Sequence, residues 1–223
     1  MSFGREFPGR HNLEGSMRFT NSFLFALIIS FSLFSYNALS SGVGFSSFPL
    51  MIDKKFVSLE MTGNLSSDGG VGVQGRFTQK LHSRMTLDGG IGISGGRFSG
   101  RVFAGLDYEF FPDYMKQPRF SVKGTLQNVK DGDMRRNVFG VTPVFSKGFS
   151  FWGYEGFPYA SIPLAISLNG SQKSYETIAN LSMGITGKVP LNGYGHLTAN
   201  LEGMLNIKDS YSGLYMGLAF PMN

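Results

Sequence analysis

The side chains able to do acid–base or metal chemistry are few in this chain, and they are scattered. Three histidines occur, His11, His82 and His196, and there is no cysteine. The missing thiols exclude disulfides, thiolate metal centres and a lipid-modified N-terminal cysteine. A lone histidine in a polar turn is more often a solvated side chain than a base. Asp131 and Asp133 bracket a glycine, but the spacing supplies none of the further oxygen ligands that a calcium loop needs. The run Gly69-Gly70-Val71-Gly72 lacks the Lys-Ser/Thr pair and the helix that make a phosphate loop. The chain is therefore expected not to be an enzyme, and to hold no metal and no cofactor.

A second group of charged residues is more informative. Glu60, Arg76, Asp88, Arg101, Asp107, Glu109, Lys123 and Glu202 all fall on the polar side of stretches that alternate apolar and polar residues. Such alternation is the signature of strands whose two faces meet different media. The charges are of both signs and sit on successive stretches, so cross-strand pairing is available to them. A network of ion pairs filling or constricting the lumen of a closed sheet is the chemistry this pattern would support.

The alternating stretches recur from Lys55 onward. Val57, Leu59 and Met61 oppose Ser58, Glu60 and Thr62; Met85, Leu87, Ile91 and Ile93 oppose Thr86, Asp88, Gly90 and Gly92. Two members are weaker: Asn137–Lys147 carries Pro143, and Phe157–Asn169 carries Pro158 and Pro163, each of which removes a ladder donor. Ten strands result, with eight and twelve as the neighbouring even counts, and no helical period appears after residue 40. The connections form two sets. One comprises the polar segments Ser66–Gly70, Gly95–Ser99, Val129–Arg136, Asn169–Glu176 and Asp209–Tyr211; the other includes Lys80–Arg84, Pro112–Pro118 and Val189–Gly193. Lys147–Gly156 breaks the pattern with four aromatic residues, and would either lie along a membrane interface or extend the strands beside it.

The last stretch is the sharpest. Leu214, Met216, Leu218 and Phe220 alternate with Gly213, Tyr215, Gly217 and Ala219. A glycine followed by apolar residues at every second position, ending near an aromatic, resembles the terminal assembly signal of bacterial outer-membrane β-barrels. The small barrels of the OmpA/OmpX-like class are the nearest comparison. The resemblance covers residues 55 to 220 and departs at Pro221, Met222 and Asn223, which follow the aromatic. It implies an antiparallel transmembrane up-and-down β-barrel. It also implies that Gly213, Met216, Leu218 and Phe220 are read by the barrel-assembly machinery, and that outer-membrane lipid surrounds the wall. Barrel enzymes of that compartment place histidine with acidic or serine partners at the outer rim. His82 and His196 are expected at the opposite end.

Phe23–Phe34 is an uncharged apolar run, too short to span a bilayer as a helix and of the length of a signal-peptide centre. Arg18 flanks it, and Asn37-Ala38-Leu39-Ser40 offers a cleavage site before Ser41. Residues 1–40 read as a leader, with Met17 as an alternative start. Residues 41–54 read as a periplasmic lead-in and 221–223 as a tail. The 223 residues include 31 glycines, and the net charge is +5. No basic stripe suggests nucleic acid. A soluble lipocalin-type barrel would alternate in the same way with its apolar face inside; the small residues on the polar face and aromatics at strand ends (Phe77, Tyr108, Phe110, Phe120, Phe220) favour apolar outside. The function expected is a structural role or limited passive permeation of small solutes, with loop-mediated adhesion as the alternative and a barrel enzyme behind both.

Overall fold

The computed structural model describes residues 42–65, 70–95, 100–131, 134–151, 153–169, 174–191 and 193–222. All belong to the second of two units into which the chain divides, Ser35–Asn223. The leader, its cleavage site, His11 and Asp133 lie outside the described residues. After one 3₁₀ turn, Gly44–Ser47, come twelve strand segments: β1 Lys55–Asn64, β2 Val71–His82, β3 Met85–Ser94, β4 Gly100–Phe111, β5 Arg119–Asp131, β6 Met134–Ser146, β7 Phe149–Phe151, β8 Tyr154–Ser161, β9 Leu164–Asn169, β10 Ser174–Lys188, β11 Thr198–Lys208 and β12 Gly213–Met222.

These segments make ten wall strands. β6 and β7 are one strand broken at Lys147-Gly148, and β8 and β9 are one strand broken at Ile162-Pro163, because β6 pairs with both β8 and β9. Every other neighbour is sequential and antiparallel, and β12 pairs with both β11 and β1, which closes the ring. Closure leaves the wall without an open edge, as a sheet in hydrocarbon requires.

The burial pattern says which medium each face meets. In β1, Ser58, Glu60, Thr62 and Asn64 are buried while Val57, Leu59 and Met61 are exposed. The same inversion runs round the ring: Ile91, Ile93, Leu126, Val141, Ile166, Leu201 and Leu218 all face outward. Ile91 is 67% exposed while Arg76, next in β2 to the residue that Ile91 pairs with, is 2% exposed. A soluble barrel with an apolar lumen is the opposite arrangement. At the end where β1 begins and β12 finishes, Tyr108, Phe110, Phe120 and Phe145 stack in series, with centroid separations of 5.0, 5.9 and 4.8 Å. They form an aromatic collar of the kind that marks a membrane interface.

Three boundaries differ from expectation. Two of them involve polar residues near the rim, which belong to strands and not to loops. The β5–β6 connection is only 132–133, because Asn128 faces Asn137 and Lys130 faces Arg135 within the ladder. Ser174, Tyr175 and Glu176 likewise open β10. Pro221 and Met222, expected as a tail, finish β12 opposite Phe56 and Lys55. Lys147–Gly156 extends the strands beside it, through the β7–β8 hairpin.

Candidate lumenal site

The largest difference from expectation is the stretch 41–54. Pro49 and Met51–Lys54 lie exposed; Gly42–Ser47 are all buried, and Leu50 is too. This segment enters the ring and lies among the inward side chains. Its lack of periodicity is the cause of the misplacement: a peptide surrounded on all sides carries no two-faced pattern.

Two opposed sets of side chains hold it. From β11, the Glu202 carboxylate accepts the Val43 amide at 3.1 Å and the Gly44 amide at 3.2 Å. The same carboxylate accepts the Tyr159 hydroxyl at 3.0 Å and the Ser182 hydroxyl. Successive amides converging on one anion form a concave nest. From the other wall, Arg76 donates to the Gly42 carbonyl at 3.4 Å, Lys123 to the Val43 carbonyl at 3.0 Å and Arg119 to the Ser46 carbonyl at 3.2 Å. Ser47 and Thr186 share a hydroxyl hydrogen bond of 3.0 Å.

Apolar packing completes the stopper. Phe45, fully buried, clusters with Leu50, Phe56 and Ala219, and Phe48 packs against that cluster. Val43 packs with Val144 and Tyr159. Two glycines make the fit. Gly44 has φ +61, and a Cβ there would lie 2.8 Å from the Arg76 guanidinium carbon. At Gly217 a Cβ would meet the Phe45 ring at 3.2 Å, so the small residue of β12 leaves room for the large one of the stopper.

The charged residues singled out above are on the lumenal face, and most are joined. Arg76 bridges Glu60 (2.7 Å) and Asp88 (2.5 Å). Lys123 meets Asp88 at 2.8 Å. Gln74 links Glu60 to Arg101 by hydrogen bonds on either side of its amide. Asp107 and Glu109 are both held by Arg119, at 2.6 and 2.7 Å. Glu202 stands apart from these pairs, on the opposite wall, in the role described above.

Several members of the site escaped the sequence reading. Arg119 opens β5 one residue past the expected turn Pro112–Pro118. Lys80, expected to open the turn Lys80–Arg84, is buried at the inner end of β2 on the same face as Arg76. Phe103 is an aromatic among polar lumenal residues. Its ring lies under the guanidinium groups of Arg76 (4.8 Å) and Arg101 (5.9 Å). With Phe103, the buried Val129, Met204 and Tyr215 occupy the lumen on the side away from the termini.

His82 ends β2, exposed, its Nδ1 3.1 Å from the Ser83 hydroxyl, and His196 lies exposed in the β10–β11 turn. Among the described residues, no three of His, Cys, Asp and Glu are grouped to hold a metal ion. Of the residues expected to carry an assembly signal, Gly213 faces the lumen and Met216, Leu218 and Phe220 face outward.

No family model matches the chain, and no curated protein matches it. Among solved structures it is similar to a designed transmembrane β-barrel, at 14% identity and a TM-score of 0.39, over 78% of this chain and 100% of that one. It is also similar to Ail, the attachment invasion locus protein of Yersinia pestis, at 9% identity and a TM-score of 0.26, over 76% of this chain and 97% of that one. The same protein in complex with the heparin analogue sucrose octasulfate is similar at 10% identity, again with a TM-score of 0.26 and over 76% and 97% of the two chains. The fold class rests on this chain's own wall: a closed, ten-stranded antiparallel barrel of transmembrane type, apolar outside and charged within.

Proposed function

We propose that this is an exported barrel of a bacterial outer membrane with a structural, non-conducting role. It would reach that membrane through a cleaved leader and be assembled through its last strand, with Gly213, Met216, Leu218 and Phe220 as the recognised positions. The observation that carries the reading is the stopper: Gly42–Ser47 fill the lumen and are bonded to both walls. The charges around it support the same reading. Inward carboxylates (Glu60, Asp88, Asp107, Glu109, Glu202) stand among inward cations (Arg76, Lys80, Arg101, Arg119, Lys123, Lys188). Such mixed signs offer a permeating ion little net attraction, and Arg76, Arg119 and Lys123 are already taken up by carboxylates. Nothing in it supplies a nucleophile–base pair, so no catalytic role is assigned.

Passive permeation is the reading this displaces, and planar bilayers separate the two. Protein that shifts in gel mobility on boiling, and is therefore folded, is expected to give no reproducible conductance step. A reproducible step from such protein overturns the structural reading.

A further inference from the structure

The outer wall is not uniform. Across β3 to β11 it carries an apolar recess of about 880 Å³. Its floor follows a single row of the hydrogen-bond register, which runs from Leu87 through Leu106, Gly124, Val141, Leu164 and Ala179 to Lys208. Leu87 is the third residue of β3, beside the inner turn; Lys208 is the last residue of β11, at the opposite end. At ~4.8 Å per strand and a strand tilt of ~40°, the row climbs roughly 18 Å along the barrel axis. That is about the depth of one leaflet, ~15 Å.

Lys208 is placed there by a specific device. Asn206 pairs with Asn180 and Leu205 with Leu181, but Ala179 pairs with Lys208, so Ile207 is an extra residue in β11. Without this bulge Lys208 would share the inward parity of Glu202 and Met204. A bulge re-aims the side chain that follows it. Here it turns a lysine from the lumen to the outer face, where Nζ donates to Thr177 Oγ1 at 3.0 Å. Thr177 is itself outward, opposite the exposed Ile166. A cation aimed deliberately at the lipid face, at the head of an apolar trough, has one chemical complement: an acyl chain that ends in an anion.

We propose that the recess binds one acylated phosphate lipid of the leaflet away from the chain termini, the chain along the row past Gly124 and the phosphate on Lys208. The proposal rests on the membrane reading but not on whether the lumen conducts. A second copy of the chain could cover an apolar face too, but it would leave the lysine's charge in hydrocarbon without a partner.

The test uses the full mature protein in nanodiscs of phosphatidylcholine with a minor fraction of phosphatidylglycerol, and native mass spectrometry to count the lipids kept on release. Wild-type protein is expected to keep one phosphatidylglycerol in preference to phosphatidylcholine. Lys208→Gln should lower that preference roughly fivefold, the effect of about 1 kcal/mol per cation near an anionic surface, with total lipid retention unchanged. Gly124→Phe should abolish retention of either lipid. A Cβ at that position meets nothing closer than the Leu106 carbonyl oxygen, at 3.9 Å, so the added ring fills the recess without disturbing the wall. Equal retention of the two lipids by wild-type protein overturns the proposal, as does wild-type behaviour of either variant or a dimer mass in place of a lipid adduct. Boiling-dependent gel mobility, run on every variant, reports separately on the barrel: its loss in wild-type protein would sink the membrane reading instead.

Discussion

The two walls of the lumen hold the same segment by different chemistry. β1 to β5 contribute ten buried charged or amide side chains to the interior, among them Glu60, Gln74, Arg76, Asp88, Asp107, Arg119 and Lys123. β6 to β11 contribute hydroxyls and amides, Thr142, Ser161, Ser182, Thr186 and Asn200, and one carboxylate that meets the stopper, Glu202. The first wall presents donors, and they reach carbonyls of the stopper. The second presents a single carboxylate, and it reaches the amides. A peptide between two such walls has its backbone satisfied on both sides without forming a strand, which is how an irregular segment is tolerated in a buried place.

The walls also differ in regularity. β1 to β5 keep their ladder, with single shifts near Lys80 and Glu109. The other wall is broken at Lys147-Gly148 and at Ile162-Pro163, where Ile162 and Asn180 fall back on the carbonyls of Pro143 and Pro163. The ion-pair wall is the stiffer partner, since Arg76 and Arg119 each tie two carboxylates and Asp88 is held by two cations.

That difference predicts unequal damage. Arg76→Met should have the largest effect, about 3–5 kcal/mol, because it leaves Glu60 a buried carboxylate without a cation and Asp88 with Lys123 alone. Ser182→Ala on the facing wall removes one neutral donor and should cost about 1 kcal/mol. Urea unfolding in detergent measures both. Similar losses for the two variants would erase the distinction between the walls.

Glu202→Gln is the next step down and sharpens the comparison. The amide keeps the size of the carboxylate, but one of its ends becomes a donor facing the Val43 or Gly44 amide. A donor left facing a donor costs about 1–3 kcal/mol. The loss should be confined to the stopper: hydrogen exchange at the Gly44 amide should quicken, while exchange in β2 and β3 stays as in the wild type. Uniform quickening around the ring would show that Glu202 braces the wall rather than the stopper.

How much of this was legible beforehand follows from the same physics. A strand between two media writes its environment into every second residue, so the ring, its ten strands and the inward charges could be read from positions such as Leu59 and Glu60. Arg119 could not, because it sits one residue from a proline turn and its partners lie in another strand. The stopper could not either. Phe45 looks like any apolar residue in an irregular run until the cavity around it is known, and Gly217 looks like part of the period of β12 rather than room for that ring. The bulge at Ile207 is invisible for a related reason: one inserted residue shifts parity, and a two-residue pattern cannot flag its own slip at a strand end.

The smallest effect concerns the junction where the irregular wall meets the inner turn between β4 and β5. There Asp113 accepts the Gly148 amide at 2.6 Å and pairs with Lys147. Partial burial works to raise the Asp113 carboxyl. The hydrogen bonds from Lys147 and Gly148 and the charge of Lys147 outweigh it and hold the group below the ordinary aspartate value. A carboxylate depressed in the folded protein contributes stability that is present above its unfolded value and is lost as pH falls through its folded one. The contact should therefore persist through neutral and mildly acidic pH and fail only below the usual carboxylate range. Protection of the Gly148 amide, corrected for the intrinsic exchange rate, should fall there in the wild type. Asp113→Asn should lower it at neutral pH and leave it without that pH dependence. Because the pair is exposed, the global unfolding midpoint should hardly move. A large shift in that midpoint would mean that the broken wall depends on this junction as the continuous wall depends on Arg76.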